Sequence, residues 1–65
     1  MGWFIMRTKG DRTQFYTNCN VFQIGEWVEA PVLPHIFNKR DALHRLQVEE
    51  RNDPTWNYEV NEFLR

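Results

Sequence analysis

The sequence predicts an α+β domain, in which an antiparallel sheet of about three strands carries one α-helix packed on one face. Three observations predict it. Two runs rich in aromatic and β-favouring residues flank a Gly-Asp pair, a helical pattern with its own start signals follows, and a stretch of alternating apolar and polar residues comes last. The predicted order is therefore strand, strand, loop, helix, strand.

Composition limits the class of protein. The chain has 65 residues and is predicted to be one domain, 1–65, because chains of this length bury only about 60% of their unfolded surface. Its net charge of -1 argues against a broad phosphate-binding surface. Cys19 is the single cysteine, which excludes an internal disulfide framework and fits a reducing cytoplasm. The longest apolar run, residues 3–6, is too short to span a bilayer or to act as a signal peptide.

The first two strands are predicted to form a hairpin. Residues 3–8 and 13–17 flank Gly10 and Asp11, a pair that suits a two-residue turn with glycine at the first central position. That turn determines which residues face each other across the hairpin. The predicted pairs are Lys9 with Arg12, Arg7 with Gln14, Met6 with Phe15, and Ile5 with Tyr16.

Residues 18–34 have no clear period and are predicted to be a loop with short extended pieces. Turn-forming residues interrupt its apolar ones at Asn18, Asn20, Gly25, Pro31 and Pro34. Because a solvated connector has no reason to carry so many apolar side chains, this loop is expected to pack against the domain.

The helix is predicted over residues 39–51. Asn38 is the candidate N-cap, Asp41 at the third helical position can reach back to it, and Phe37 can act as a hydrophobic staple onto Ala42. The apolar stripe of this helix is narrow, so it is expected to pack on one surface only.

The last strand is predicted in the stretch TWNYEVNEFLR. Its apolar positions are Trp56, Tyr58 and Val60, and its polar positions are Asn57, Glu59 and Asn61. This alternation is typical of a strand with one buried face and one solvated face.

This order of segments resembles that of small phage-encoded ββαβ proteins. The resemblance rests on the hairpin WFIMRT…QFYT, on Trp27, Ala30 and Phe37 ahead of a helix with Ala42 and Leu46, and on the closing YEV. The chain departs from the pattern by a longer PVLPH segment before Phe37. Small phage proteins commonly bind a host protein and alter it. The resemblance therefore implies a binding module that inhibits or redirects a protein of the host cytoplasm.

No catalytic residue, metal ligand or cofactor is predicted. Catalysis needs a nucleophile, a base that reaches it and a group that orients the base. Cys19 as nucleophile with His35 or His44 as base is the one candidate pair, and nothing in the sequence places these residues in contact. Neither histidine has a companion Cys or His at metal-ligand spacing. The acidic residues occupy turn, cap and helix-surface positions, which account for them without a catalytic role. The sequence therefore favours a protein that is not an enzyme.

The two faces of the hairpin suggest a binding surface. The helix is expected to cover the face that carries Phe4, Met6 and Phe15, joined by Trp56, Tyr58 and Val60. The other face would stay exposed, and exposed aromatic and Arg side chains are favoured as interface anchors. The predicted partner-binding residues are Trp3, Ile5, Arg7 and Tyr16, with Trp27 at the rim.

Other occupants of that face remain open at this point. The loop could fold over it with Phe22, Ile24, Trp27, Val32 and Leu33, or a second copy of the chain could cover it. A function of another class is nucleic-acid binding by Arg7, Lys9 and Arg12 beside aromatic residues, which the acidic overall balance makes less favoured.

Overall fold

A computed structural model describes residues 2–18, 25–29 and 33–64. Its elements are β1 (Gly2–Lys9), β2 (Arg12–Asn18), β3 (Gly25–Glu29), α1 (Lys39–Asn52) and β4 (Asn57–Phe63). The strands form one antiparallel sheet in the order β3-β2-β1-β4. The α+β prediction is confirmed, with four strands in place of about three.

Strand β3 lies inside the segment that was predicted to be irregular. It pairs with β2 along its whole length, from Gln14 opposite Glu29 to Asn18 opposite Gly25. Its five residues include a glycine and two glutamates, which are depleted in strands, beside Trp27 and Val28, which favour them. This local preference is weak, so the strand depends on pairing with β2. Residues 19–24 and 30–32 of the predicted loop, which include Cys19, Phe22, Ile24, Ala30 and Val32, lie outside the described residues.

The hairpin forms with the predicted turn. Gly10 has a φ of 61°, in the region that favours glycine, and the pairs from Met6–Phe15 to Lys9–Arg12 are confirmed. In the described part of the chain the β1–β2 ladder does not extend to the predicted Ile5–Tyr16 pair.

Residues 33–38 pass the open end of this ladder. Phe37 exchanges two backbone hydrogen bonds with Trp3, at 2.9 and 2.8 Å, and His35 N donates to the carbonyl oxygen of Tyr16 at 2.9 Å. The segment therefore satisfies backbone groups of both β1 and β2 beyond the point where they pair with each other.

The helix begins and ends close to its predicted bounds. The Asn38 side chain accepts a hydrogen bond from the backbone N–H of Asp41 at 2.8 Å and donates to the Asp41 carboxylate at 3.1 Å. The predicted cap is therefore confirmed. At the other end the backbone N–H of Asp53 donates to the carbonyl oxygen of Glu49 at 3.0 Å. Among the described residues, no helix is long and apolar enough to cross a membrane.

The helix covers the opposite sheet face from the one predicted. Ala42 is fully buried in one cluster with Ile5 and Tyr16, and Leu46 and Val60 pack against that cluster. Because the β1–β4 register sets Val60 opposite Ile5, the apolar face of β4 joins the Ile5 side of β1.

The expectation that the helix covers Phe4, Met6 and Phe15 is therefore wrong. Trp56, Tyr58 and Val60 belong with Ile5 and Arg7 instead. Strand β1 is apolar on both faces, so its own pattern does not select a register with β4, and a shift of one residue exchanges the faces.

Gly25 lies directly beneath the Tyr16 ring. A Cβ atom at this position would overlap the ring atoms and the hydroxyl of Tyr16, which is only 5% exposed and cannot swing away into solvent. We expect Gly25→Ala to lower the free energy of unfolding by about 1–3 kcal/mol, as overpacking does, when measured by urea denaturation.

Gly2→Ala is the matched control for this substitution. A Cβ atom there meets Cγ2 of Ile36, an exposed side chain that can move aside. We expect a clearly smaller loss for this variant. Equal losses would contradict the packing of the Tyr16 ring on Gly25.

Candidate functional site

The five predicted partner-binding residues lie together, but on the face that the helix covers. Ile5 is 0% exposed, Tyr16 is buried with it, and Trp3 and Trp27 pack against the same core cluster. Trp27, one of the alternative covering residues, packs edge-on against Tyr16 with ring centroids 5.3 Å apart. Because Ile5 and Tyr16 are interior residues, they do not form an exposed contact surface.

Arg7 lies between two tryptophan rings on this face. Its Cζ atom is 4.4 Å from the centroid of the Trp27 ring and 4.2 Å from that of Trp56. Trp56 is 8% exposed, so the cation replaces water with two aromatic faces. Cation–π contacts of this kind contribute about 0.5–2 kcal/mol each, more as they are desolvated.

The guanidinium is held by hydrogen bonds as well. Nε and Nη2 of Arg7 donate to Oε1 of Gln14 at 2.8 and 2.7 Å, and Gln14 is buried. Nη1 lies 3.5 Å from the hydroxyl of Tyr58, which donates to the carbonyl oxygen of Asp53 at 2.7 Å. These residues form the Arg7 cluster: Arg7, Gln14, Trp27, Trp56 and Tyr58. The guanidinium of Arg7 is thus paired inside the domain, and the cluster extends the core along the Ile5 face of the sheet.

The other two cations of the hairpin are also engaged. The Arg12 guanidinium pairs with the Glu29 carboxylate at 2.7 Å, and Nζ of Lys9 donates to the Thr55 hydroxyl at 3.0 Å. Both cations lie over the Trp56 ring, at 5.0 and 5.2 Å from its centroid. A nucleobase would need an exposed aromatic face to stack on, and the buried Trp56 ring does not offer one.

Two carboxylates beside these cations have lowered pKa values. The hydrogen bond from Arg12 lowers the pKa of Glu29 below its usual 4.5. For Asp53, the hydrogen bond from the Thr55 hydroxyl, which is 2.6 Å long, lowers the pKa below its usual 3.8. The charge of Lys9 acts in the same direction on Asp53.

This lowering predicts a loss of stability in acid. A carboxyl group whose pKa is lower in the folded chain stabilises the fold above its unfolded pKa, and the contribution is lost as the pH falls through the folded value. We expect the free energy of unfolding to fall as the pH drops from about 4.5, the usual pKa of Glu29. Urea denaturation of a Glu29→Gln, Asp53→Asn double variant should show a flatter pH profile. An unchanged profile would contradict the assignment.

The sheet has a second face, which we call the open face, because no helix or strand of the described residues packs on it. The register places alternate residues of every strand there. Its apolar members are Phe4, Met6, Phe15, Val28 and Phe63, all half-buried. Its polar members are Thr8, Thr13, Thr17, Glu26, Asn57, Glu59 and Asn61.

Three phenylalanine rings form a row across the open face. The Phe4 ring lies 5.9 Å from the Phe15 ring and 6.2 Å from the Phe63 ring, which it meets edge-on. Ile36 extends this apolar row at the Gly2 end of β1, where its side chain lies against the glycine. The result is a continuous apolar strip that crosses three strands.

Sequence reasoning placed Phe4, Met6 and Phe15 together and assigned them to the core. Their alternation along the hairpin was the signal that grouped them, but it does not say which face the helix takes. Val28 and Phe63 lie in segments where no face was assigned. They join the strip only through pairing with Phe15 and Gly2.

No protein-family model, no curated protein and no solved structure matches this chain. Within the described residues, no group of three or more His, Cys, Asp or Glu side chains is placed to hold a metal ion. The candidate site is therefore argued from the chain's own geometry, and the open face is its strongest surface feature.

Proposed function

We propose that this chain is a non-enzymatic protein-binding module and that the open face is its contact surface. The observation that carries the proposal is the row of three phenylalanine rings on the face opposite the helix. Aromatic residues are among the types most enriched in the centres of protein interfaces.

The size of the face supports this proposal. Strands about 4.8 Å apart, with about 3.3 Å per residue, give a face of roughly 400 Å² for a sheet of this kind. The apolar strip takes up part of this area, beside the polar residues of the face, and an apolar patch of a few hundred Å² on a monomer is often functional. A standard protein–protein interface buries about 800 Å² on each partner. A partner that contacts the open face and its rim would reach this size.

The resemblance to small phage-encoded proteins adds a partner to the proposal. That partner is a protein of the host cytoplasm, which the chain inhibits or redirects. A second copy of the chain is the other protein occupant considered. The nucleic-acid alternative is not favoured, because Arg7, Lys9 and Arg12 are all engaged within the domain.

The test is affinity capture from the native cell with three baits. We expect wild type to retain a partner that a Phe4→Ser, Phe15→Ser double variant loses. Leu43→Ser is the matched control, because Leu43 is an apolar helix residue that is 44% exposed and lies outside the open face. Circular dichroism should show that all three baits are folded.

Two results would overturn the proposed surface. One is a partner that the double variant retains at wild-type level, and the other is a partner that Leu43→Ser alone loses. Sedimentation at high concentration tests self-association, since a dimer that the double variant abolishes would make the second copy the occupant.

A further inference from the structure

Strand β4 forms one edge of the sheet and is available for pairing with a further strand. Among the described residues, no strand lies beyond it. Natural edge strands are often very short, bulged, or interrupted by Pro or Lys. Strand β4 has seven residues without Pro or Lys, and it pairs with β1 along its whole length without a bulge. Its charged residues are Glu59 and Glu62, and they limit which strand can pair there.

The sequence of β4 is complementary to itself when two copies run antiparallel about Val60. In that register Glu59 lies opposite Asn61 of the second copy, Glu62 lies opposite Tyr58, and Val60 meets Val60 on the side that carries α1. The Asn61 amide donates to Glu59 of its own strand at 3.2 Å and carries a second N–H for the opposite carboxylate. A two-fold axis at Glu59 or Glu62 would instead set like charges opposite each other, which destabilises a strand pair.

The α1 helix presents an exposed leucine on its flank towards β4. Ala42 and Leu46 face the sheet, and Arg45 and Glu49 contact aromatic residues of β2 and β3 on one flank. With 3.6 residues per turn, Leu43 lies on the other flank. Its side chain is 44% exposed beside the free edge of the sheet.

Pairing through β4 would bring the two helices into contact. Because α1 packs on both β1 and β4, its axis runs about half a strand spacing inside β4. With strands about 4.8 Å apart, the two helix axes would lie roughly 10 Å from each other across the two-fold axis. Packed helices are about 8–10 Å apart. Leu46 and Val60 pack against the same core cluster, so Leu43 lies close to the level of the two-fold axis.

We propose that this chain forms a two-fold dimer, in which the β4 strands pair antiparallel about Val60 and the α1 helices pack on each other through Leu43. The two four-stranded sheets join into one sheet of eight strands. The interface is closed, because each copy uses the same edge. It is separate from the open face, so the inference goes beyond the proposed function. Loss of the dimer leaves the open face of each copy intact, and Leu43→Ser remains a control for that face.

Sedimentation equilibrium of the full chain measures the dimer. One strand pair and one helix contact make an interface at the small end of the known range, so we expect a dissociation constant between about 1 μM and 1 mM. Amide hydrogen exchange in β4 should slow as the protein concentration is raised. A chain that stays monomeric at about 1 mM would overturn the inference.

A charge swap tests the register of the strand pair. We expect Asn61→Asp to weaken the dimer about fivefold, because it sets a carboxylate opposite Glu59 at two places across the two-fold axis. Asn57→Asp is the matched control, since it makes the same change on the same face of β4 but opposite Phe63. It should weaken the dimer less than about twofold. Combining Glu59→Gln with Asn61→Asp should restore the wild-type affinity.

Two further variants separate this interface from the open face. Leu43→Lys should weaken the dimer by about tenfold or more, because it places two like charges between the helices. The Phe4→Ser, Phe15→Ser variant should dimerise as wild type does, and circular dichroism should show that each variant is folded. A dimer that the open-face variant abolishes, or that Asn57→Asp weakens as much as Asn61→Asp does, would contradict the β4 interface.

Discussion

An Ile5→Ala variant should lose about 2–5 kcal/mol of the free energy of unfolding, the range for removing a large aliphatic side chain from a core. Ile5 is 0% exposed and contacts both the sheet and the helix cluster, so nothing can fill the cavity without moving a strand. In a domain of this size such a loss is a large part of the total stability. Urea denaturation followed by circular dichroism measures it.

Met6→Ala is the control, because Met6 is the next residue and points to the open face. It is half-buried, and its truncation leaves no closed cavity beneath the helix. We expect its loss to be less than half of the Ile5→Ala loss. If Ile5→Ala does not fold, Ile5→Val should still cost about 0.5–1.5 kcal/mol. A larger loss for Met6→Ala than for Ile5→Ala would contradict the assignment of the two faces.

Replacing Arg7 with methionine should cost about 2–4 kcal/mol, although methionine fills a similar volume. The substitution leaves the buried Oε1 of Gln14 without its donor, which costs about 1–3 kcal/mol. It also removes the cation from between Trp27 and Trp56, whose contacts with it contribute about 0.5–2 kcal/mol each. The loss is measured as the free energy of unfolding. The near-ultraviolet circular dichroism signal of the tryptophans in the folded variant should change as well.

Arg12→Met is the matched control. It removes a cation from the same hairpin and the same Trp56 ring, but Arg12 and its partner Glu29 are both largely exposed. We expect a loss below about 1 kcal/mol, as for other surface ion pairs. Arg7→Lys should fall between the two, since it keeps a charge and loses the planar fork that binds Gln14. If Arg7→Met costs no more than Arg12→Met, the cluster does not stabilise the fold.

Local signals explain why the hairpin and the helix were predictable. The Gly10 turn sets the register through positions next to each other along the chain, and Asn38 caps the helix with a hydrogen bond to a residue three positions away. Neither feature needs knowledge of the rest of the fold, so each could be predicted from a few residues.

Features that depend on distant pairing were not predictable in the same way. Strand β3 forms by pairing with β2, and Trp27 within it packs on Tyr16 and donates to the Glu49 carboxylate at 3.0 Å. The sequence around Trp27 has no alternation that would predict this strand. Its place in the sheet is decided by tertiary contacts, which outweigh a weak local preference.

The candidate site shows the same division. Trp3, Ile5, Arg7 and Tyr16 share one face, as alternation along the hairpin predicts. Trp27 was predicted only at the rim of that face, and it lies there through the pairing of β3 with β2. Whether that face is covered depends on the β1–β4 register and on where Ala42 packs. Both faces of β1 are apolar, so its pattern does not decide which face the helix covers. The face predicted to be exposed is the one that the helix covers.

The central claim is that Ile5 lies under the helix while Phe4, Met6 and Phe15 face outward. Relaxation of side-chain protons by a soluble paramagnetic agent in the full chain tests it most directly. The structure predicts stronger relaxation for the Met6 methyl and Phe15 ring protons than for the Ile5 and Ala42 methyls. Protection of Met6 equal to that of Ile5, or the reverse order, would contradict the account.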